Sequence, residues 1–468
     1  MTPRMLTHTS RTSRLSARRI FRSAALSTLA AGVVVVSACS PTDILDLTDP
    51  DIINPSDVQS PAGANAVRLG ALARLATATS GSGEFFMLSG MFADEYINGD
   101  SFIARQEIDQ RIITVQNNFL TDANRSLHRA RLSGEQAVQL LEEFSPAAPG
   151  WHRAEMYFVQ AYVANLIAEH YCNGIVFSTV TDGREEFGTP VTTTAAFERA
   201  LDQVIAGRAL ITGASADDER VLYALQVLHG RILLNLNRYA EAAAAVAGVP
   251  NDFEYLVRHS LSTSSNYNWL RNNNERRYNV ADNEGTNGIN FVSANDPRLP
   301  ICFGGDAVCA APPIEVTNPL RDDLFTAPVV QMIWTARESE VALLKGQEAR
   351  MIEAEALLAT NPGSAIAAMN DARTTVAGLA PLADPGTPEA RVDMLFRERA
   401  FWNFGVGARV GDMRRLIRQY GRAASDVFPV GDWQPGAKAG SYGTDVNFPV
   451  PQAEENNPNA AGCMDRNP

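Results

Sequence analysis

Apolar residues recur along this chain mainly at helical spacing, and long alternating stretches of the kind a half-buried strand needs are scarce. Residues 61–79, with Val67, Leu69, Leu72 and Leu75, predict a first helix that Gly81-Ser-Gly83 ends. Residues 121–144 carry Leu127, Ala130, Ala137, Leu140 and Leu141 as one stripe, the mark of an amphipathic helix. A similar stripe of Ala154, Phe158, Ala161, Tyr162 and Leu166 runs through 151–171. Helices over 196–213 and 217–234 follow as a pair. Residues 348–358 hold only good helix formers, Asn361-Pro-Gly363 stops them, and a second helix over 364–376 returns. Two short antiparallel helices with small residues at their crossing are the unit of a helical repeat. The stretch from Ala224 through Gly230 to Ala242 has the same layout. The pattern predicts an all-α, tetratricopeptide-like superhelix of helical pairs.

The array is interrupted by residues 251–335, where helix signals fade and Asn, Ser, Gly, Pro and aromatics dominate. So long an irregular insert in a compact domain is usually functional or disordered. Its runs Asn266-Tyr-Asn-Trp269, Arg271-Asn-Asn-Asn274, Arg276-Arg-Tyr-Asn279 and Asn287-Gly-Ile-Asn290 mix rings, amides and guanidiniums. Flat rings stack on the apolar faces of sugars and peptides while fixed amides orient hydroxyls. The competing expectation is that Tyr267 and Trp269 plug the core beneath a loop. The binding expectation places Tyr267, Trp269, Arg271, Asn272 and Tyr278 on one exposed surface.

The first 38 residues differ from the rest. Six Arg and no acidic residue precede an apolar run, 23–36, too short to span a bilayer. The run ends in Val36-Ser37-Ala38-Cys39, which matches a bacterial lipobox, so Cys39 is the expected lipidated N-terminus. The domain plan is then a signal peptide over 1–38, a lipidated tether over 39–60 and one helical domain over 61–468. Ser40 after the Cys resembles the sorting signal for the outer membrane. Removing the six leader Arg from 40 Lys+Arg leaves 34 against 53 Asp+Glu, a net charge of −19. Nucleic acid, which needs a basic face, is excluded as a partner.

Cys302 and Cys309 enclose six residues, two of them Gly, and in an oxidising compartment this spacing predicts a disulfide. The pairing of Cys172 and Cys463 stays open. The sequence offers no GxSxG elbow, no HExxH and no phosphate loop, and its six His are scattered without metal-ligand spacing. Neither a metal nor a cofactor is expected, and the chain reads as a binder. Arg399, Arg409, Asp412 and Arg415 read as a structural ion-pair network in preference to a ligand site.

Several motifs stand in a fixed order. They are the Arg153-Ala-Glu155 helix, Asn295-Asp-Pro-Arg298, the Glu348–Leu358 helix, a block with Glu398, Arg399, Gly407, Arg409, Asp412 and Arg415, and the closing Phe448-Pro-Val-Pro451. This succession resembles the SusD/RagB family of nutrient-uptake lipoproteins, although Trp402 and Val406 stand where that family prefers Glu. The resemblance implies a superhelix bearing the insert, surface exposure on the cell outer membrane, and a glycan or oligopeptide ligand delivered to a SusC-like TonB-dependent transporter. It also places Tyr96 and Asn98 in a loop that often contributes to glycan binding. Two other readings stay open: a helical-repeat scaffold in envelope assembly, and a lipid-anchored hydrolase.

Overall fold

Side-chain oxygens start most of the long helices. In the computed structural model Ser60 accepts a hydrogen bond from the Gly63 N–H at 3.0 Å and opens α1 (Pro61–Thr79), with Pro in its first turn. The buried α2 (Phe85–Phe92) and the short α3 (Ile103–Asp109) come next. Asn117, Thr192 and Ser215 cap α4 (Asn118–Phe144), α6 (Thr193–Arg208) and α7 (Ala216–Asn235) in the same way, and α5 (Gly150–His170) lies between the first two. After α8 (Tyr239–Val246) and α9 (Gly346–Leu357), Asn361 and Thr387 cap α10 (Pro362–Arg373) and α11 (Pro388–Trp402). α12 (Arg409–Tyr420) and α13 (Ala424–Val427) close the helical part. The structure describes residues 58–181, 184–303, 328–433 and 439–468. The leader, Cys39 and nearly all of the tether lie outside the described residues, as does Cys309. Cys302 is disulfide-bonded.

Each long helix packs on its sequence neighbours: α1 on α4, α4 on α5, α5 on α6, α7 on α8, α8 on α9 and α9 on α10. This nearest-neighbour stacking is the repeat logic of a solenoid. The protein is mostly helical, with a tetratricopeptide-like scaffold. No described helix is long and apolar enough to cross a membrane.

α2 is apolar all round, and all eight of its residues are buried. Phe85 meets His170 edge-on at 4.6 Å, and Phe92 meets Phe448 at 5.0 Å. The C-terminal block closes over this helix. Gly407 has φ 70°, and a Cβ there would sit 2.7 Å from the Phe86 ring, so the chain needs glycine at that point.

The described residues of the insert are more ordered than their composition suggests. β1 (Tyr96–Asn98) pairs antiparallel with β3 (Tyr278–Val280). β2 (Glu254–Val257) pairs with β6 (Val341–Lys345), which ties the two ends of the insert together. β4 (Ile301–Phe303) pairs with β5 (Val329–Gln331). A π-helical turn over Trp269–Asn274 packs against β3 and β5. These strands are three to five residues long, and β3 is buried at every position, so no alternation marked it. The Asn295–Arg298 turn docks the insert on α11: Arg298 bonds Asp296 at 2.7 Å and Glu398 at 2.6 Å.

A chain of buried ions holds the C-terminal helices to the solenoid. Arg231 grips Glu169 with two bonds, 2.8 and 2.6 Å. Asp412 accepts from Arg399 and from Arg415, each at 2.8 Å, and Arg415 also pairs with Glu355. Tyr420 donates to the same Glu355 at 2.9 Å. Arg399, Asp412 and Arg415 thus form the ion-pair network expected of them.

Candidate functional site

The residues expected to form an exposed binding face are mostly interior. Tyr96 and Asn98 lie on β1, opposite Val280 and Tyr278, and both are fully buried. The Tyr96 ring packs on Phe404 at 5.1 Å, and the Asn98 side chain accepts from the Asp100 N–H at 2.9 Å. Trp269 is only 6% exposed and Tyr278 fully buried. The buried Asn272 side chain donates to the carbonyls of Tyr278 (2.7 Å) and Val329 (3.1 Å) and accepts from the Gln331 N–H at 2.8 Å. It therefore splices the π-helical turn to both insert strands. Arg271 is engaged by Glu84 and Glu275, and the half-buried Tyr267 lies 4.7 Å from its guanidinium. The expectation assumed too few apolar neighbours to bury these rings. Distant segments supply them, Phe404 being one. Trp269→Ala is accordingly expected to cost about 3 kcal/mol of stability, as a large-to-small change in a packed interior. A urea melt shifted by less than a third of that would return Trp269 to the surface.

Beneath these rings lies a cluster of paired charges. Glu84, at φ 54°, receives Arg105 and Arg271, while Asp100 receives Arg105 at 2.7 Å and Arg277 at 2.5 Å. Burial acts to raise the Asp100 carboxyl, but the hydrogen bonds and charge of Arg277, with Arg105, hold it below the usual range. With its charges internally paired, the cluster clamps the insert to the body. The exposed ring at this rim is Phe102, edge-on to Phe119 at 6.0 Å.

The insert meets the C-terminal helices at a different place, and there the surface opens into a cleft of about 330 Å³. One wall is the loop after β3, with Asn283, Asn287 and Asn290. The other is α11 and α13, with Asp393, Arg397 and Asp426. Phe396, Leu416 and Val427 form an apolar floor together with Arg409. The loop is held from both sides: Asn287 donates its amide to the carbonyls of Ser425 (3.1 Å) and Phe428 (2.8 Å), and the Ile289 N–H donates to Asp94 at 3.1 Å. Asp94 also takes Arg409 in a fork, 2.7 and 2.8 Å. Sequence reasoning missed this place. Asn287-Gly-Ile-Asn290 gave a compositional signal, but its partners lie more than 100 residues away.

Next to Asp94, Glu95 is fully buried and accepts from the Gly405 N–H at 2.9 Å. Burial pushes its carboxyl up to about 8. The folded state then holds a proton that the unfolded chain has lost, so this residue weakens the fold as pH rises from about 5 toward 8. Glu95→Gln is expected to gain stability over the parent across that window, on the order of 2–3 kcal/mol. Melts of both proteins at several pH values would show a constant gap if this is wrong.

Among the described residues no group of three or more His, Cys, Asp or Glu is placed to hold a metal ion. The described residues include two serine–imidazole pairs, Ser89–His170 at 2.8 Å and Ser80–His259 at 2.9 Å. Both serines are buried, and burial holds His170 down at about 4, a neutral core residue.

No family model matches the sequence, and no curated protein matches it in a sequence comparison. Solved structures do match. A SusD superfamily protein from Bacteroides thetaiotaomicron superposes with a TM-score of 0.63 at 13% identity, covering 87% of this chain and 100% of that one. A SusD-like carbohydrate binding protein from Bacteroides vulgatus gives 0.59 at 12% identity, over 86% of this chain and 97% of that one. A laminarin binding SusD-like protein gives 0.60 at 13% identity, over 86% and 99%. The chain therefore has the fold of the SusD superfamily.

Proposed function

We propose that this chain is a lipoprotein of the outer-membrane surface that binds a nutrient, a glycan or an oligopeptide, and delivers it to a SusC-like TonB-dependent transporter. The observation that carries the reading is the cleft between the insert and α11–α13, on a fold shared with carbohydrate-binding and laminarin-binding proteins. Amides and guanidiniums line it over an apolar floor, a combination that holds a polar ligand. Binding fits this arrangement better than turnover, because the two serine–imidazole pairs are in the core. A pure assembly scaffold would have no use for a polar cleft built by the insert. The test is a glycan and oligopeptide array probed with the soluble chain from Ser40 onward. Binding to either class without turnover is the expected result, and a chain that binds neither, or cleaves what it binds, overturns the reading. The anchor has its own test: Cys39→Ala is expected to move the protein from the membrane to the soluble fraction, because that acyl-modified Cys would be its attachment. Retention of the variant on membranes after a high-salt wash would contradict it.

A further inference from the structure

We propose that the cleft takes its ligand by a carboxylate, held between Arg397 and Arg409, and that the ligand is a uronic-acid-containing glycan. This rests on the binding reading above and names the ligand class of that cleft. Arg409 is 94% removed from solvent, being 6% exposed, and its Nε and Nη2 are spent on Asp94. The fork fixes the guanidinium, and Nη1 remains for the cleft it lines. Arg397 is exposed on the facing helix and forms no ion pair among the described residues. Its one ring contact is Phe401, 5.1 Å from the guanidinium. The carboxylates that act on it, Asp296 and Glu398, are both already bonded to Arg298. Partial burial is what lowers the Arg397 pKa; Asp296 and Glu398 act against it, and the cations Arg298 and Arg409 add the least. Arg397, which has no ion pair among the described residues, and the Nη1 of the fixed Arg409 are the donors that a bound anion meets in this cleft. Of the rim acids, Asp393 is paired with Arg422 at 2.8 Å, and the exposed Asp426 forms no ion pair among the described residues, with Arg397 included.

A second observation gives the rest of the ligand. The Asn287 Oδ1 is buried without a hydrogen-bond partner, while its amide nitrogen is fully used by Ser425 and Phe428. An acceptor left open in this way calls for an O–H or N–H donor. Asn283 and Asn290 add amides on the same wall. A carboxylate with hydroxyls on adjacent carbons, over an apolar ring face toward Phe396, is the chemistry of a uronic acid. A peptide C-terminus supplies the carboxylate without the ring of hydroxyls.

The experiment is calorimetric titration of the soluble chain with a panel of uronate oligosaccharides (galacturonate, glucuronate and mannuronate/guluronate types), their carboxyl-reduced counterparts, neutral glucans and oligopeptides. At least one uronate is expected to bind, and carboxyl reduction to weaken it by about ten-fold or more, the loss of one charge-assisted contact. Arg397→Met is expected to weaken the same uronate to the same degree with an unchanged melting temperature, since Arg397 is exposed and pairs with nothing the fold requires. Equal affinity for a uronate and its reduced form, an Arg397→Met variant that binds as well as the parent, or binding confined to neutral glucans or to peptides would each overturn the uronate assignment and leave the binding function intact. A chain that binds no member of the panel or of the broader array fails both.

Discussion

Asp412→Asn is expected to destabilise the protein by about 3–5 kcal/mol at neutral pH, because it removes one charge from a buried set and strands its partners. Asp412 is fully enclosed and takes Arg399 on one oxygen and Arg415 on the other, each at 2.8 Å. Arg415 keeps Glu355, but Arg399 is left facing Glu348 at 4.0 Å, too far for a hydrogen bond. Burial acts to raise the Asp412 carboxyl, and the two guanidiniums overcome it and hold it down at about 2. That folded value lies below the ordinary aspartate value of about 3.9. The contribution is therefore complete above about pH 4 and is lost as pH falls toward 2, on the order of 2–3 kcal/mol. Urea unfolding of parent and variant would show it, with a large gap at pH 7 that narrows below pH 4. A variant as stable as the parent at pH 7 would mean that the network is dispensable.

Loss of the Cys172–Cys463 disulfide is the second large effect. The two Cα atoms lie 5.8 Å apart at a sequence separation of 291, and the sequence alone left their pairing open. Closing so long a loop restrains the unfolded chain by just under ~6 kcal/mol in the chain-entropy account, of which measured bridges usually deliver about 2–5. The bridge pins the C-terminal tail to the end of α5, where Tyr171 also pairs with Phe448 and Asn173 with Asp465. Reduction would strike Cys302 as well, so the double variant Cys172→Ser/Cys463→Ser is the cleaner probe. It is expected to unfold about 3–5 kcal/mol earlier in urea. Peptide mapping without reductant would find the 172–463 cross-link in the parent. Absence of that cross-link, or a variant with the parent's midpoint, would contradict the assignment.

The helices were legible because their evidence is local. Ser60, Pro61 and the spacing of Val67, Leu72 and Leu75 place α1 without any tertiary knowledge, and Gly230 with Ala242 marks the repeat. The motif block from Glu398 to Arg415 kept its meaning where its charges pair inside the segment, Asp412 with Arg399 and Arg415, while the partners of Arg409 and Glu398, Asp94 and Arg298, come from far along the chain. The insert failed for the opposite reason. Trp269, Asn272 and Tyr278 look like a binding surface in isolation, and become interior because the far end of the insert folds back through Gln331 onto Asn272, while Glu84 meets Tyr278 and Phe404 meets Phe291 from elsewhere in the chain. β3 carries three buried residues in a row, so neither strand nor burial was signalled. The cleft was hidden for the same reason: Asn287 and Arg397 are 110 positions apart, and the insert is fixed against α11 by tertiary contacts, the Asn295–Arg298 turn on Glu398 and Phe291 on Phe401.

We propose that this chain works as the capture subunit of an outer-membrane importer. The most direct measurement is to tag the full chain, extract native membranes in mild detergent, and identify what co-purifies. The expected result is a TonB-dependent barrel in a fixed ratio to the chain, bound to the wild type and reduced in yield with Cys39→Ala. Recovery of the chain alone, at the mass of a monomer and with no barrel, would contradict it.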